Sequence, residues 1–493
     1  PNADMGYDIR DYEKIMAEFG TMEDFDELLR EMHSRDIKLV MDLVVNHSSD
    51  EHRWFVESRS SRESPYRDYY IWRDGKDGRE PNNWASFFTP SAWSYGEGTG
   101  QWYLHLFSEK QPDLNWENPS VREEVYSMIN RWFDRGVDGF RMDVITVIAK
   151  APGLPDGKGS PGAGGYVFSP EHFAFQPKLH EYLREMRRRC FDGRDCMCVG
   201  ETSFVNTENA NSLVGDGREL DLLFQFDLMD MDGEGSKWNA IPLDVPKLKR
   251  IVAAWQGAID WNTLFLGNHD QPRVVSRFGD TSSEELWKRS AKCLATLMYL
   301  QRGTPFIYQG EELGMTNAPF ETREQLRDVE ELNLLALCSS EAELGWAWRG
   351  IKAKGRDNAR TPMQWSAGKN AGFTTGEPWI MLNPNYTGIN AEAEEGDPDS
   401  ILNYYRALIA LRNSTPALLR GDWRELLPES GQVVAYTRGL DGEEYAVLCN
   451  LSRGSAPLPC RLGDFGEPVL SNMPADPAAE TLRPYEAQVL KKG

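Results

Sequence analysis

The chain has no apolar run approaching the ~20 residues a membrane-spanning helix needs, which predicts a soluble protein without a membrane partner. It starts at Pro1 with no initiator Met, so a preceding signal or anchor segment stays open. Positive charge is scarce. Lys and Arg number 54 against 77 Asp and Glu, for a formal charge of -23, and a phosphate-binding surface needs clustered cations, so nucleic acid is excluded as a partner. Cysteine is sparse and unpatterned: Cys190, Cys196, Cys198, Cys293, Cys338, Cys449 and Cys460 form an odd set without the paired spacing of a zinc site. Free thiols are expected, and with them a reducing compartment and a cytoplasmic location.

What the chain does have is aromatic side chains and length. Sixteen Trp, 18 Tyr and 21 Phe exceed what one core requires, and flat rings are how sugar faces are held. At 493 residues the chain predicts one large domain with one or two smaller ones. Three acids close three apolar runs: Asp143 in GFRMDVI, Glu201 in CVGET and Asp270 in FLGNHD. A strand of a parallel barrel delivers a side chain to the catalytic face in this way. Cleaving a glycosidic bond needs one protonated and one ionised carboxyl, and a third carboxylate can complement the positive charge that develops.

The order of elements points to α/β winding. A helix over Glu23 to His33 precedes the apolar strand IKLVMDLV, and further strands lie in GFRMDVI, CMCVGET, LDLLFQF, TLFLGNH and TPFIYQG. Helices are expected around Ser120 to Gly136, His172 to Cys190, Val245 to Gln256 and Ser283 to Gln301. Polar clusters follow nearly every strand, which favours a (β/α)8 TIM barrel over an open doubly wound sheet. Only six barrel strands are visible where eight are wanted, so the first two are expected upstream of Pro1. The predicted organisation is a first barrel segment over residues 1–46, an inserted aromatic and Gly/Pro-rich subdomain over 47–112, the remaining barrel over 113–418 and an antiparallel, sandwich-like β domain over 419–493. In the last of these, VVAYTRG and EYAVLCNLS around LDGE read as a hairpin.

Five motifs in register, DLVVNH, QPDLN, GFRMD, VGET and LGNHD, resemble those of glycoside hydrolase family 13, the α-amylase family, in its oligo-1,6-glucosidase and α-glucosidase branch. The resemblance implies that Asp143 is the nucleophile, Glu201 the general acid and base and Asp270 the transition-state stabiliser. Arg141 lies two residues before Asp143 on the same strand face, so it can keep that carboxylate ionised, while Glu201 requires a raised pKa. His47 and His269 resemble the pair that binds hydroxyls of the cleaved sugar. Asp4 and Tyr7 in NADMGYD, with Arg356 in GRDNAR, match the residues that grip and underlie a terminal glucose. Such an Asp–Arg pair would close the site into a pocket and make cleavage exo-acting. For Arg360 a structural ion-pair network competes equally with a site role. Phe107 and Gln111 would line the entrance.

Val144 follows the nucleophile, where this branch tends to carry Val in enzymes that cut α-1,6 bonds; the difference is worth about 1–3 kcal/mol. The implied activity is therefore an exo-acting retaining α-glucosidase releasing terminal α-1,6-linked, and also α-1,4-linked, glucose from a small oligosaccharide such as isomaltose. Alternatives within the family are a sucrose isomerase or transglucosidase, disfavoured because QPRVVSRFG replaces the arginine-rich motif after Asp270, and a trehalose-6-phosphate hydrolase, which wants a basic cluster. A non-catalytic, transporter-associated relative would have lost its catalytic carboxylates. No cofactor is implied. A structural calcium site, if present, would lie in the segment ahead of Pro1, and a monomer or small homo-oligomer is expected.

Overall fold

The computed structural model describes residues 1–215, 218–458, 462, 464–474 and 480–493; Cys460 lies outside the described residues. The chain divides into two compact units, Pro1–Phe226 and Asp227–Gly493.

In the first unit four strands, β1 (Val40–Leu43), β5 (Gly139–Met142), β6 (Met197–Glu201) and β7 (Leu222–Phe224), form one parallel sheet in the order β1-β5-β6-β7. Register follows from sequence. Asp42 pairs with Arg141, Arg141 with Val199, and Glu201 with Phe224, so polar side chains emerge together where the apolar runs end. Gly200 is required in β6, because a Cβ there would stand 2.6 Å from Leu220 and 3.0 Å from Ile145. The helices between strands carry their own punctuation. Met22–His33 starts on a Thr21–Asp24 capping box, and Pro119–Arg135 starts on Asn118 with Pro at its first position and stops at Gly136, whose φ is 112°.

One predicted helix is broken. His172 to Cys190 is instead Pro170–Phe173, Pro177–Met186 and a π turn over Arg187–Phe191. Two prolines that can only begin a helix, with Phe175 held at φ 50° between them, account for the interruption. Between β1 and β5 lies a small antiparallel sheet, β2 (Trp72–Arg73), β4 (Gln101–Leu104) and β3 (Trp93–Gly96). Its core is Trp84, Trp93, Leu104 and Phe107, which explains why so polar a stretch carries so many rings.

The second unit holds two parallel strands, β8 (Asn262–Leu264) and β9 (Gly303–Pro305), with helices Val245–Ala258 and Glu284–Tyr299. The six predicted strands are thus present among the described residues, four in one unit and two in the other. Phe320, Leu335 and Ile351 form a separate core under the long connection that follows β9.

From Asp422 onward an antiparallel sheet runs in the order β10 (Asp422–Leu426), β11 (Val433–Leu440), β12 (Glu443–Asn450), β16 (Ala487–Lys492), β14 (Phe465–Ser471). The β11–β12 turn is Asp441–Gly442, with φ 51° and 88°, the pair of left-handed residues that a two-residue hairpin favours. A second ladder, β13 (Ala456–Pro457) with β15 (Thr481–Leu482), shares a core with this sheet through Ala456, Leu482, Val433 and Leu448.

Candidate active site

Arg141 organises the first unit's site. Its Nη1 donates to Asp42 Oδ1 at 2.9 Å and to Asp143 Oδ1 at 2.7 Å, and its Nη2 reaches Glu201 Oε2 at 2.8 Å. One guanidinium therefore touches three carboxylates. Glu201 Oε2 also accepts the backbone N–H of Val144 at 2.9 Å. That contact needs an unusual backbone, because Val144 sits at φ 34°, ψ 40°, a left-handed conformation that a β-branched residue adopts at a cost of about 1–3 kcal/mol. The chain turns there to bring the residue after Asp143 against the carboxylate of the next strand.

Burial sets the titration of this group. It is the largest influence on Asp143 and raises its pKa well above the usual carboxylate range; Arg141 opposes it, while Glu201 and Asp42 add to it. The sequence placed the raised pKa on Glu201 and expected Arg141 to keep Asp143 ionised. In the structure the raised carboxyl is Asp143, because Arg141 opposes its burial without outweighing it.

Around this centre the predicted residues gather as follows. The Tyr7 hydroxyl donates to Asp42 Oδ2 at 2.7 Å, and the Arg141 guanidinium lies 5.7 Å from the Tyr7 ring centre. Gln111 Nε2 donates to Asp4 Oδ2 and to the Tyr7 carbonyl, both at 3.1 Å. His47 is fixed by a relay. Buried Lys150 donates to Asn46 Oδ1 at 2.8 Å and pairs with Asp113 at 2.7 Å, which turns the Asn46 amide nitrogen toward His47 Nδ1 at 3.1 Å. The proton then sits on Nε2, which donates to the Tyr7 carbonyl at 2.9 Å. Burial lowers the His47 pKa against the pull of Asp113 and Asp4, so the ring is neutral. Phe107 is mostly core, stacked on Phe87 at 4.8 Å, and presents its ring to His47 at 5.2 Å.

The second unit brings His269, Asp270 and Arg356 together. Asp270 Oδ1 accepts from Arg360 Nη2 at 2.7 Å and Arg356 Nη1 at 3.2 Å, and His269 Nε2 lies 3.3 Å from its other oxygen. Both arginines also grip Asp328 Oδ2, Arg356 at 2.6 Å and Arg360 at 2.8 Å. Burial acts to raise Asp328, yet the two guanidinium groups outweigh it and hold this carboxyl below its usual range. Arg360 thus belongs to an ion-pair network that includes Asp270.

Sequence reasoning did not single out Asp42 or Asp328. Asp42 stood inside the quoted DLVVNH motif and lies directly opposite Arg141, a strand-pairing signal that was available; Asp328 looks like an ordinary N-cap, which it also is for helix Val329–Leu337. Arg273, in the segment after Asp270, donates to the carbonyls of Gln309 and Asn358 and is therefore spent on the fold. Among the described residues no group of three or more His, Cys, Asp or Glu is arranged to hold a metal ion.

The alpha-amylase catalytic-domain family matches residues 1–421. An oligo-1,6-glucosidase of Parageobacillus thermoglucosidasius is 50% identical over 508 aligned positions, spanning 100% of this chain and 89% of that protein. A trehalose-6-phosphate hydrolase of Bacillus subtilis is 44% identical, over 100% of this chain and 89% of its own length. Among solved structures, the trehalulose synthase MutB of Pseudomonas mesoacidophila MX-45 superposes with a TM-score of 0.93 at 43% identity, over 100% of this chain and 90% of that one.

Proposed function

We propose that this chain, which belongs to the alpha-amylase family with its TIM-barrel catalytic domain and C-terminal β domain, is an exo-acting retaining α-glucosidase that removes terminal α-1,6-linked glucose from short oligosaccharides such as isomaltose. The oligo-1,6-glucosidases among its relatives support this substrate class. The observation that carries the mechanism is the Arg141 fork between Asp143 and Glu201. A single guanidinium contacting both carboxyls favours the short separation of retaining enzymes, about 5–5.5 Å, over the about 6.5–9.5 Å that leaves room for a water in inverting ones.

In the first step Asp143 attacks the anomeric carbon as a carboxylate while Glu201 gives its proton to the departing glycosidic oxygen, so the C–O bond to the leaving sugar breaks as the glucosyl-aspartate ester forms. In the second, Glu201 takes a proton from water, the water oxygen bonds to the anomeric carbon and Asp143 departs. Two inversions leave the α configuration. Arg141 contacts both carboxyls and so holds nucleophile and proton donor in register through both steps. Asp270 complements the positive charge on the ring, and Arg356 and Arg360 hold its Oδ1 in place. Neutral His47, with His269, Asp4, Tyr7, Gln111 and Arg356, binds the glucose, and Phe107 forms an apolar wall against His47.

A phosphorylated substrate is disfavoured, because Arg273 serves backbone carbonyls and Arg277 pairs with Asp232. Among the described residues no helix is long and apolar enough to cross a membrane, and the described cysteines are free; we place the enzyme in the cytoplasm. We take residues 1–46 and 113–418 as barrel, 47–112 as an insertion and 419–493 as the β domain. Assaying isomaltose, maltose, sucrose and trehalose-6-phosphate side by side tests the reading: isomaltose should be hydrolysed fastest, and faster turnover of any other sugar overturns the linkage assignment.

A further inference from the structure

Behind the Arg356–Arg360 fork lie two buried acids that the mechanism does not use. Glu331, on helix Val329–Leu337, and Asp357, next to Arg356, are both fully buried. They are in contact: the Asp357 backbone N–H donates to Glu331 Oε1 at 3.0 Å. Asp357 Oδ2 accepts the backbone N–H groups of Arg327 at 2.7 Å and Asp328 at 3.1 Å. Each acid keeps one buried oxygen, Glu331 Oε2 and Asp357 Oδ1, with no hydrogen-bond donor. Space is not the remedy, since a Cβ on Gly355 would stand 2.5 Å from Glu331 Oε1.

Two adjacent carboxylates with orphaned oxygens in a dry site cannot both stay ionised, and the smallest group that satisfies both is a proton. The surrounding charges agree. Asp328 lies against the pair, its cationic partners Arg356 and Arg360 are already committed to Asp328 and Asp270, and Lys237 pairs with Glu330 on the same helix. Lys237 acts to lower Glu331 and Arg360 to lower Asp357, yet each is already paired with another carboxylate, and burial outweighs both. Burial pushes both acids upward, with Asp357 and Asp328 adding to the effect on Glu331 and the Arg327 N–H opposing it on Asp357.

We propose that Glu331 and Asp357 hold one proton between them and act as positioning residues, locking the segment that carries Arg356 and Arg360 onto Asp328 so that both arginines stay aimed at Asp270. Were both acids ionised, their repulsion would push Asp357 away from Glu331, and Arg356 would move with it. The positioning role rests on the reading of Asp270 as the stabilising carboxylate; the shared proton does not.

The test uses the full chain and has two readouts. In the infrared difference spectrum between parent and E331Q, at about pH 7, where an ordinary carboxylate is ionised, a protonated-carboxyl C=O band should be lost from the parent. Absence of that band overturns the shared proton, whatever the enzyme's activity. On isomaltose, E331A should lower kcat/KM by about tenfold or more, as expected when the arginines no longer hold Asp270 in place. E331Q, whose amide can donate to Asp357 in the proton's place, should recover most of that loss and extend activity to higher pH. D357N, the reciprocal replacement, should behave like E331Q. Equal losses in E331A and E331Q with unchanged pH profiles, both variants folded by circular dichroism, overturn the positioning role. If the parent does not hydrolyse isomaltose at all, the functional reading fails while the infrared result still decides the proton.

Discussion

The two units treat their acids in opposite ways. In the first, one arginine serves Asp42, Asp143 and Glu201; in the second, two arginines serve Asp270 and Asp328. Asp143 and Asp328 are both buried, yet Asp143 is pushed up while Asp328 is held down. The number of guanidinium groups per carboxylate decides the outcome, not burial alone. In the acid-rich cluster one guanidinium cannot outweigh the burial of Asp143. A balanced cluster keeps its charge, which is what a group facing an oxocarbenium-like transition state requires.

The comparison breaks most completely at the nucleophile. D143N should lower hydrolysis by about ten-thousand-fold while folding and sugar binding persist, read by kcat on isomaltose and by circular dichroism. Next comes the shared arginine. R141K, which loses the fork, should lower kcat by about a hundredfold, a loss typical of removing one preorganised donor. It should also move the acid limb of kcat/KM to higher pH, because Arg141 is the group that lowers the pKa of Asp143. An acid limb that moved to lower pH would contradict the sharing argument. R360K should cost only about tenfold, since Arg356 remains on both Asp270 and Asp328.

How far these clusters were legible in the sequence follows the same division. The six parallel strands stood out as short apolar runs, and the three acids at their ends were readable because strand ends are where such a fold places chemistry. The proton's location was not. It depends on burial and on how many arginines converge, and Arg360 joins Asp270 through contacts across ninety residues that no local pattern records. Asp328 was hidden for another reason: a capping Asp and a buried ion-pair Asp look alike until the helix is placed. The left-handed backbone at Val144 was equally illegible, because β-branched residues normally avoid it.

Smaller effects sharpen the account. V144T should shift the ratio of maltose to isomaltose cleavage toward maltose by about 1–3 kcal/mol, measured as relative kcat/KM. Glu311, bonded by two tyrosine hydroxyls rather than by a guanidinium, provides a control on burial. Burial raises its pKa to about 7, against the hydrogen bonds donated by the Tyr299 and Tyr405 hydroxyls. Its folded pKa lies above its unfolded value of about 4.3, so its contribution to stability is full below that value and is lost as pH rises toward about 7. E311Q should therefore flatten the fall in stability across that window, read by urea denaturation at several pH values, with little change in the pH profile of kcat.

The most direct test of the central claim is the configuration of the first-formed sugar. Proton NMR during hydrolysis of p-nitrophenyl α-glucoside, whose only sugar is the glucose that is cleaved, recorded before mutarotation, should show α-glucose first, as two displacements at one carbon require. Initial appearance of β-glucose would contradict a nucleophilic Asp143 paired with Glu201 through Arg141.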